Sequence, residues 1–396
     1  MSATAGRAEE PLRVVVAGGG IAGLETLIAL RGLVGHRVEL TLVTPEDDFV
    51  MRALEVFEPF GMGRPHRYPL AEVAADLDAT LHKNTLARVD RDRHSVHLGS
   101  GMTLPYDVLV LALGATPYPA FEHGTSFARA YDPESFDEVI EDLRAGLVDR
   151  VAIVVPNGAP WTLPAYELAL MIAAFIEQAK VTLVTSEQEP LSAFGAPAGE
   201  LVRNELAAAG VDLIAGVTAG VPHPSVVQLA PDARLSCDRI VHLPLLAGPN
   251  TRGVTCDSAG FIVVDDGFRV RGSDDVFAVG DGAAGEYKQG GLAAQQADAV
   301  AEQIASRAGA EHPPRPYRPA MRALLRTVDG PRYMRAEPPG GAGAAEVSDQ
   351  CLWWPPSKVA ARWLTPWLAA RELEARPLPP PRRLGTGGIS RSGSEP

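Results

Sequence analysis

Apolar residues along this chain come in short runs of strand length, separated by stretches with helical spacing. Leu12–Ala17 is a largely apolar run that predicts a buried strand. Ile21–Leu33 repeats apolar residues at three- and four-residue intervals, which predicts a helix, and Val38–Val43 predicts a second strand. The same β–α–β order returns further on. Val151–Val155 reads as a strand, Pro164–Gln178 as a helix and Lys180–Val184 as a strand. The two second strands end in nearly the same words, TLVTPE at Thr41–Glu46 and TLVTSE at Thr182–Glu187. Two buried strands can share wording by chance, but the matching order of flanking elements favours an internal repeat. Asp78–Gly114 alternates short strand-like runs with turns, and Tyr106–Ala115 (YDVLVLALGA) closes that region. Strand-like Phe261–Val264 and Asp274–Asp281 follow, and then an Ala-rich helical stretch at Gly291–Arg307. Beyond Ala308 the pattern turns Pro-rich. Glu337–Ala345 (EPPGGAGAA) predicts a flexible loop, and the five Pro, four Gly and four Arg of Arg376–Pro396 predict a disordered tail.

Glycines turn the first β–α–β unit into chemistry. AGGGIAG at Ala17–Gly23 places Gly18, Gly20 and Gly23 in GxGxxG spacing, directly after a strand and at the mouth of a helix. Gly18 permits the tight turn, Gly20 lets backbone approach a pyrophosphate, and Gly23 lets helix and strand pack closely. The helix N-terminus offers free N–H groups and a positive dipole end to phosphates. The acid that binds the adenosine ribose usually ends the second strand. Thr44 stands there instead, with Glu46 two residues on, so the ribose partner is either the Thr hydroxyl or Glu46 reaching back. A second motif, DDVFAVGDGA at Asp274–Ala283, ends a strand in Gly280–Asp281. That arrangement offers a carboxylate to a ribityl hydroxyl, with a glycine beside which a cofactor chain can pass.

Taken together, GxGxxG near the start, LALGA in the middle and FAVGD late resemble the two-domain flavoprotein disulfide-reductase superfamily. The wording is closer to the branch of type II NADH dehydrogenases and sulfide:quinone oxidoreductases, and KQGGLAAQQAD at Lys288–Asp298 looks like that branch's segment beside the flavin ring. The resemblance covers roughly residues 12–310. It implies an α/β fold with two Rossmann-like FAD/NAD(P)-binding domains of the three-layer, glutathione-reductase-like kind, plus a short C-terminal helical cap. The implied division is an FAD domain in two pieces (11–115 and 247–310), a second Rossmann-like domain (116–246), a cap or membrane/dimer region (311–375) and the tail (376–396). It also implies non-covalent FAD. Gly18, Gly20, Ala22 and Gly23 would hold the adenosine end, with Thr44, Glu46, Arg52, Leu86, Gly114 and Ala115 around it. Gly280 and Asp281 would lie on the ribityl chain. Gly290, Gly291 and Leu292 would open a helix towards the flavin's pyrimidine oxygen, where a positive dipole end stabilises reduced flavin.

Departures from that pattern matter as much. Where NAD-binding relatives carry a second GxGxxG, this chain reads VVPNGAPWTLPAYELAL at Val154–Leu170. One glycine, Gly158, remains in the turn, and Pro156 and Pro160 lack the N–H groups a pyrophosphate would use. The resemblance also puts a redox cysteine ahead of PAYE (Pro164–Glu167), and that position holds Trp161, which forms neither disulfide nor persulfide. Trp161 is read as a lid at the flavin face or as an ordinary core residue. Trp161, Lys288 and Cys351 are the candidate catalytic residues. At the C-terminal end, Val359, Trp363 and Trp367 fall at i, i+4 and i+8, flanked by Lys358, Arg362 and Arg371. Ser357 and Thr365–Pro366 are read as helix starts. Such a stripe over Trp353–Leu368 suits a membrane interface, the protein's own core, or a second subunit in a homodimer.

Composition narrows the partners. A net charge of −13 argues against nucleic acid, since phosphates are repelled. Cys237, Cys256 and Cys351 are far apart, without a CxxC pair, which fits a reducing cytoplasmic setting. Met1–Pro11 lacks the apolar core of a signal peptide, and no run of about 18 apolar residues predicts a membrane span. None of the nine histidines has metal-ligand spacing, so no metal is expected. The expected function is an FAD-dependent oxidoreductase. It would pass electrons from a small-molecule donor to an acceptor, for which the resemblance suggests a quinone, in the cytoplasm or on the inner face of the cell membrane. The alternatives are an NAD(P)H dehydrogenase of the same fold and an FAD-bound sensor that has lost catalysis.

Overall fold

A computed structural model describes residues 10–375 apart from 63–64, 129–131, 312, 328 and 341–342. The expected disordered tail, 376–396, lies outside the described residues. The helices are α1 (Ile21–Val34), α2 (Leu70–Asp76), α3 (Pro133–Arg144), α4 (Leu163–Phe175), α5 (Ala196–Ala208), α6 (Gly290–Arg307) and α7 (Leu364–Ala375).

Each copy of the repeat builds a five-stranded parallel sheet. In the first, Leu12–Ala17 is central, between Val108–Leu111 and Val38–Thr44, with Val276–Ala278 and Ala79–Lys83 at the edges. In the second, Arg150–Val155 is central, between Arg239–His242 and Lys180–Thr185. Alternation along a strand sorts side chains to opposite faces. Val14 and Val16 join the core under α1 and α6, whereas Val15 and Ala17 join the core under an antiparallel meander, Leu86–Asp90, Ser95–Leu98 and Thr103–Pro105. The second sheet repeats the plan: Val151, Ile153 and Val155 face helices, and Ala152 and Val154 face the meander Ala219–His223, Val226–Leu229 and Ala233–Ser236. Because both faces are covered, the strands carry near-continuous apolar runs. These are the three layers expected from the sequence, twice over.

The end of the chain differs from expectation in three ways. Met321–Thr327, Gly330–Glu337 and Ala344–Ser348 form an antiparallel sheet, and α7 follows it. Met321, Ala323, Leu325, Met334 and Ala336 seal that sheet onto the core under the second five-stranded sheet. Of the expected flexible loop Glu337–Ala345, the ends Glu337, Ala344 and Ala345 pair as strand, and 341–342 lie outside the described residues. Nor does a helix begin after Ser357. Cys351–Trp363 is non-helical, and the hydroxyls of Ser357 and Thr365 both donate to Val359 O (2.7 Å each), which holds a compact bend. Finally, the aromatic stripe faces inward. Val359, Leu364 and Leu368 are buried in the α1–α6 core, with Trp363 and Trp367 packed on it. Trp363 occupies the space left at Gly32, where a Cβ would lie 2.6 Å from the indole. Of the three readings of this stripe, packing on the protein's own core is the one these residues follow: α1 is apolar nearly all round, and the stripe covers it from water. Among the described residues no helix is long and apolar enough to cross a membrane.

Candidate functional site

The C-terminal ends of the first sheet open onto a 620 Å³ cavity. Of the residues expected to hold a dinucleotide, Gly18, Gly20, Ala22, Thr44, Glu46, Arg52, Leu86, Gly114, Ala115, Gly280, Asp281 and Gly290 line it. Gly18 has φ +115°, and a Cβ there would lie 2.1 Å from Ala112 O, so the turn admits no side chain. Gly23 is behind the cavity, where a Cβ would strike Gly18 O at 1.9 Å; its part is to bring α1 against the turn. Gly20 faces open space, and among the described residues no side chain caps α1 and no acid stands in its first turn. Thr44 is buried and its Oγ1 accepts the Glu46 N–H (3.3 Å), while Thr185 accepts the Glu187 N–H (3.1 Å) in the second copy. The repeated wording is thus a repeated turn. Pro249–Arg252 and Asn84–Thr85 also line the cavity and carry no motif that would reveal them. Thr251 Oγ1 is buried there without a hydrogen-bond partner among the described residues.

A second cavity of 400 Å³ shares Gly19, Gly20, Ile21, Glu46, Arg52, Asp281 and Gly290 with the first, so the two adjoin. Its walls are apolar at Phe49, Val56, Phe127 and Val359. Trp161 and Lys288 reach it, as the sequence suggested. Lys288 is buried, donates to Ala283 O and sits 4.2 Å over the Phe261 ring; burial pushes its pKa down, partly offset by Asp281. Asp281, shared by both cavities, is pushed up by burial and pulled back by Lys288. Leu292 does not offer its N–H to a ligand, because the Gln289 side chain caps α6 by accepting it at 2.9 Å. Neither Gly291 nor Leu292 lines the cavities. Cys351 is exposed and lines neither cavity, with Sγ against Trp353 O. Two residues that the sequence did not point to as site residues complete the second cavity. Lys358 and Glu167 form an ion pair only 7% and 1% exposed, brought from the C-terminal bend and from α4. Nothing local in the sequence marks them as partners, since 191 positions separate them.

The second Rossmann-like turn is closed by its own side chains. Only 180 Å³ remains beside Pro156–Thr162, with Trp161 and Phe194 rings 6.0 Å apart at its wall. Glu187, the counterpart of Glu46 in the second copy, accepts from Tyr166 OH (2.7 Å).

Comparison with known proteins agrees with this geometry. The family model for pyridine nucleotide-disulphide oxidoreductases matches residues 12–297. The chain is 28% identical to the sulfide-quinone reductase of Aquifex aeolicus over 234 residues, 54% of this chain and 53% of that protein, so the match spans about half the relative's length. It is 26% identical to an NADH dehydrogenase-like protein of Mycobacterium tuberculosis over 69% of this chain and 73% of that one. The sulfide:quinone oxidoreductase structure from Aquifex aeolicus superposes with a TM-score of 0.75 at 21% identity, covering 85% of this chain and 87% of that chain. FAD is the cofactor of this family, and the cradle fits it: open backbone at Gly20 and the uncapped start of α1 suit a pyrophosphate, and the orphaned Thr251 hydroxyl and Asp281 suit cofactor hydroxyls. Asp281→Ala is expected to weaken FAD binding by about 1.5–3 kcal/mol, roughly tenfold to a hundredfold, read as the flavin-to-protein absorbance ratio after dialysis. The chain belongs to the pyridine nucleotide-disulphide oxidoreductase family and is an FAD-dependent oxidoreductase.

Proposed function

We propose that this oxidoreductase takes electrons from a small donor other than a pyridine nucleotide and delivers them to a quinone in the 400 Å³ cavity. The observation that carries the reading is the buried Lys358–Glu167 pair, which stands with Phe49, Val56 and Phe127 in the wall of the cavity beside the FAD cradle, a wall that also holds Asp281 and Lys288. FAD supplies two-electron chemistry. Reducing a quinone to quinol takes two electrons and two protons. Phe49, Val56 and Phe127 suit the ring, and Lys358 holds a proton where a quinone oxygen would need one. Burial lowers the Lys358 pKa and Glu167 restores it in part, which keeps the ammonium transferable. Trp161 covers the site against water. A quinone acceptor also places the working protein at the inner face of the cell membrane.

The NADH-dehydrogenase relative favours a second reading, with NADH as donor. Against it stand the prolines of the turn and the side chains that leave only 180 Å³ open beside it. Anaerobic stopped-flow reduction decides between them. Sulfide, or another small donor found by screening, is expected to bleach the flavin band at the turnover rate, and a soluble quinone to restore it. NADH is expected to reduce the flavin at least about a hundredfold more slowly, as for a site that forfeits about 2.7 kcal/mol of binding. Fast reduction by NADH would install the second reading, and no reduction by any donor would leave an FAD-bound sensor.

A further inference from the structure

We propose that Glu25 of α1 and Asp298 of α6 are positioning residues that share one proton, and that this shared proton holds the C-terminal bend carrying Lys358 to the acceptor cavity. The inference rests on the reading of that cavity given above. Glu25 is fully buried within an apolar helix. Its two oxygens accept the backbone N–H groups of Trp363 (2.8 Å) and Leu364 (2.5 Å), which are the groups that open α7. Asp298 faces Glu25 where α6 packs against α1, and its Oδ1 is buried without a partner among the described residues. Ionised carboxylates only accept hydrogen bonds, so a bond between these two requires a proton on one of them.

The proton belongs on Asp298. Two N–H donors favour the carboxylate form of Glu25, and the buried Oδ1 of Asp298 has none among the described residues. Burial raises the pKa of both groups, and the facing Glu25 raises Asp298 further. Glu302 of α6 accepts from Arg315 (2.8 Å) and from Arg362 of the bend (2.9 Å). Arg318 and Arg322 line the same 440 Å³ cavity as Asp298. These cations pull Asp298 towards ionisation, and Arg315 does so directly, but burial and Glu25 outweigh them.

The link to Lys358 is a short chain of hydrogen bonds. Glu25 fixes Trp363 and Leu364. Next in sequence, Thr365 Oγ1 accepts the Ala361 N–H (3.0 Å) and donates to Val359 O (2.7 Å). Val359 adjoins Lys358, which projects between Glu167 and the Phe57 ring, 4.4 Å away.

The sign of the pH effect follows. A carboxyl whose folded pKa lies above its unfolded value, near 4, contributes stability that is complete below that value and is lost as pH rises through the folded pKa. Asp298→Asn keeps an N–H donor towards Glu25 at every pH. We would follow the thermal midpoint of the flavin-loaded full chain from about pH 5 to about pH 9. The variant is expected to gain on wild type as pH rises, by about 4 °C or more across the range. Trypsin cleavage at Arg362 and Arg371, expressed at each pH relative to an unstructured reference peptide because the protease's own rate changes with pH, should quicken in wild type over the alkaline half and stay level in Asp298→Asn. A constant gap between the two midpoint curves would overturn the shared proton, and cleavage independent of pH would overturn its hold on the bend. Glu25→Gln offers a carbonyl to α7 and an N–H to Asp298; it should flatten the profile in the same way, and it carries the test if Asp298→Asn does not fold. None of these readouts involves turnover. A failed quinone assay with an intact pH profile would therefore remove the acceptor reading and leave the pair standing.

Discussion

Replacing Lys358 with Met is expected to cost about 3–5 kcal/mol of stability near neutral pH and to slow quinone-dependent reoxidation of the flavin by at least about tenfold. The size comes from what is left behind. Glu167 is 1% exposed and its charge is compensated chiefly by Lys358. Without that ammonium, burial drives Glu167 to take up a proton, and the folded protein pays the difference between its raised pKa and the unfolded one. Such a defect is largest above the folded pKa and shrinks as pH falls, so denaturant midpoints of wild type and variant should approach each other from about pH 8 to about pH 5. Adding Glu167→Gln should recover much of the stability, since it removes the orphaned charge, without recovering reoxidation. Stopped-flow separates the half-reactions: reduction by the donor should be nearly unchanged and reoxidation by quinone slow. If both half-reactions run at wild-type rates in Lys358→Met, the cavity is not where the acceptor is protonated.

Gly18→Ala is expected to yield a protein without FAD. The residue has φ +115°, outside the left-handed region that Ala tolerates even at a penalty, and its Cβ would lie 2.1 Å from Ala112 O. Relief requires moving either the strand end at Leu111–Ala112 or the start of α1, and both line the cradle. Backbone strain of about 1–3 kcal/mol comes before any clash is counted. A displaced α1 also loses the line of its N–H groups on the pyrophosphate. The purified variant should be colourless, with far-ultraviolet circular dichroism close to wild type, because the sheet core beneath the turn does not depend on the cofactor. A yellow Gly18→Ala protein with full flavin content would show that the cradle is not at this turn.

Much of this architecture can be read from local pattern. The parallel strands announce themselves as apolar runs because both their faces are covered, and GxGxxG announces the first turn because only glycine meets its steric demands at Gly18 and Gly23. The TLVTPE/TLVTSE echo marks a Thr–Glu turn that the fold uses twice. The C-terminal part was less legible. Its Pro-rich text hid strands that are stabilised by packing on α4 rather than by their own propensity. The Trp stripe has helical spacing, yet the segment up to Trp363 bends, because side-chain hydroxyls take the Val359 carbonyl.

The sequence by itself determined the two Rossmann-like units, the glycine turn at Gly18–Gly23, the carboxylate at Asp281 and the absence of further glycines and of a cysteine around Pro156–Trp161. Each of these is a requirement of backbone geometry or side-chain chemistry at one place in the chain, and such requirements are written locally. Which charges meet was decided only by the tertiary structure. Lys358 with Glu167 and Glu25 with Asp298 are pairs separated by 191 and 273 positions, drawn together when α1, α4, α6 and the C-terminal bend pack. A charge read along the chain looks like a solvated one; its role depends on burial, and burial is a property of the packed molecule.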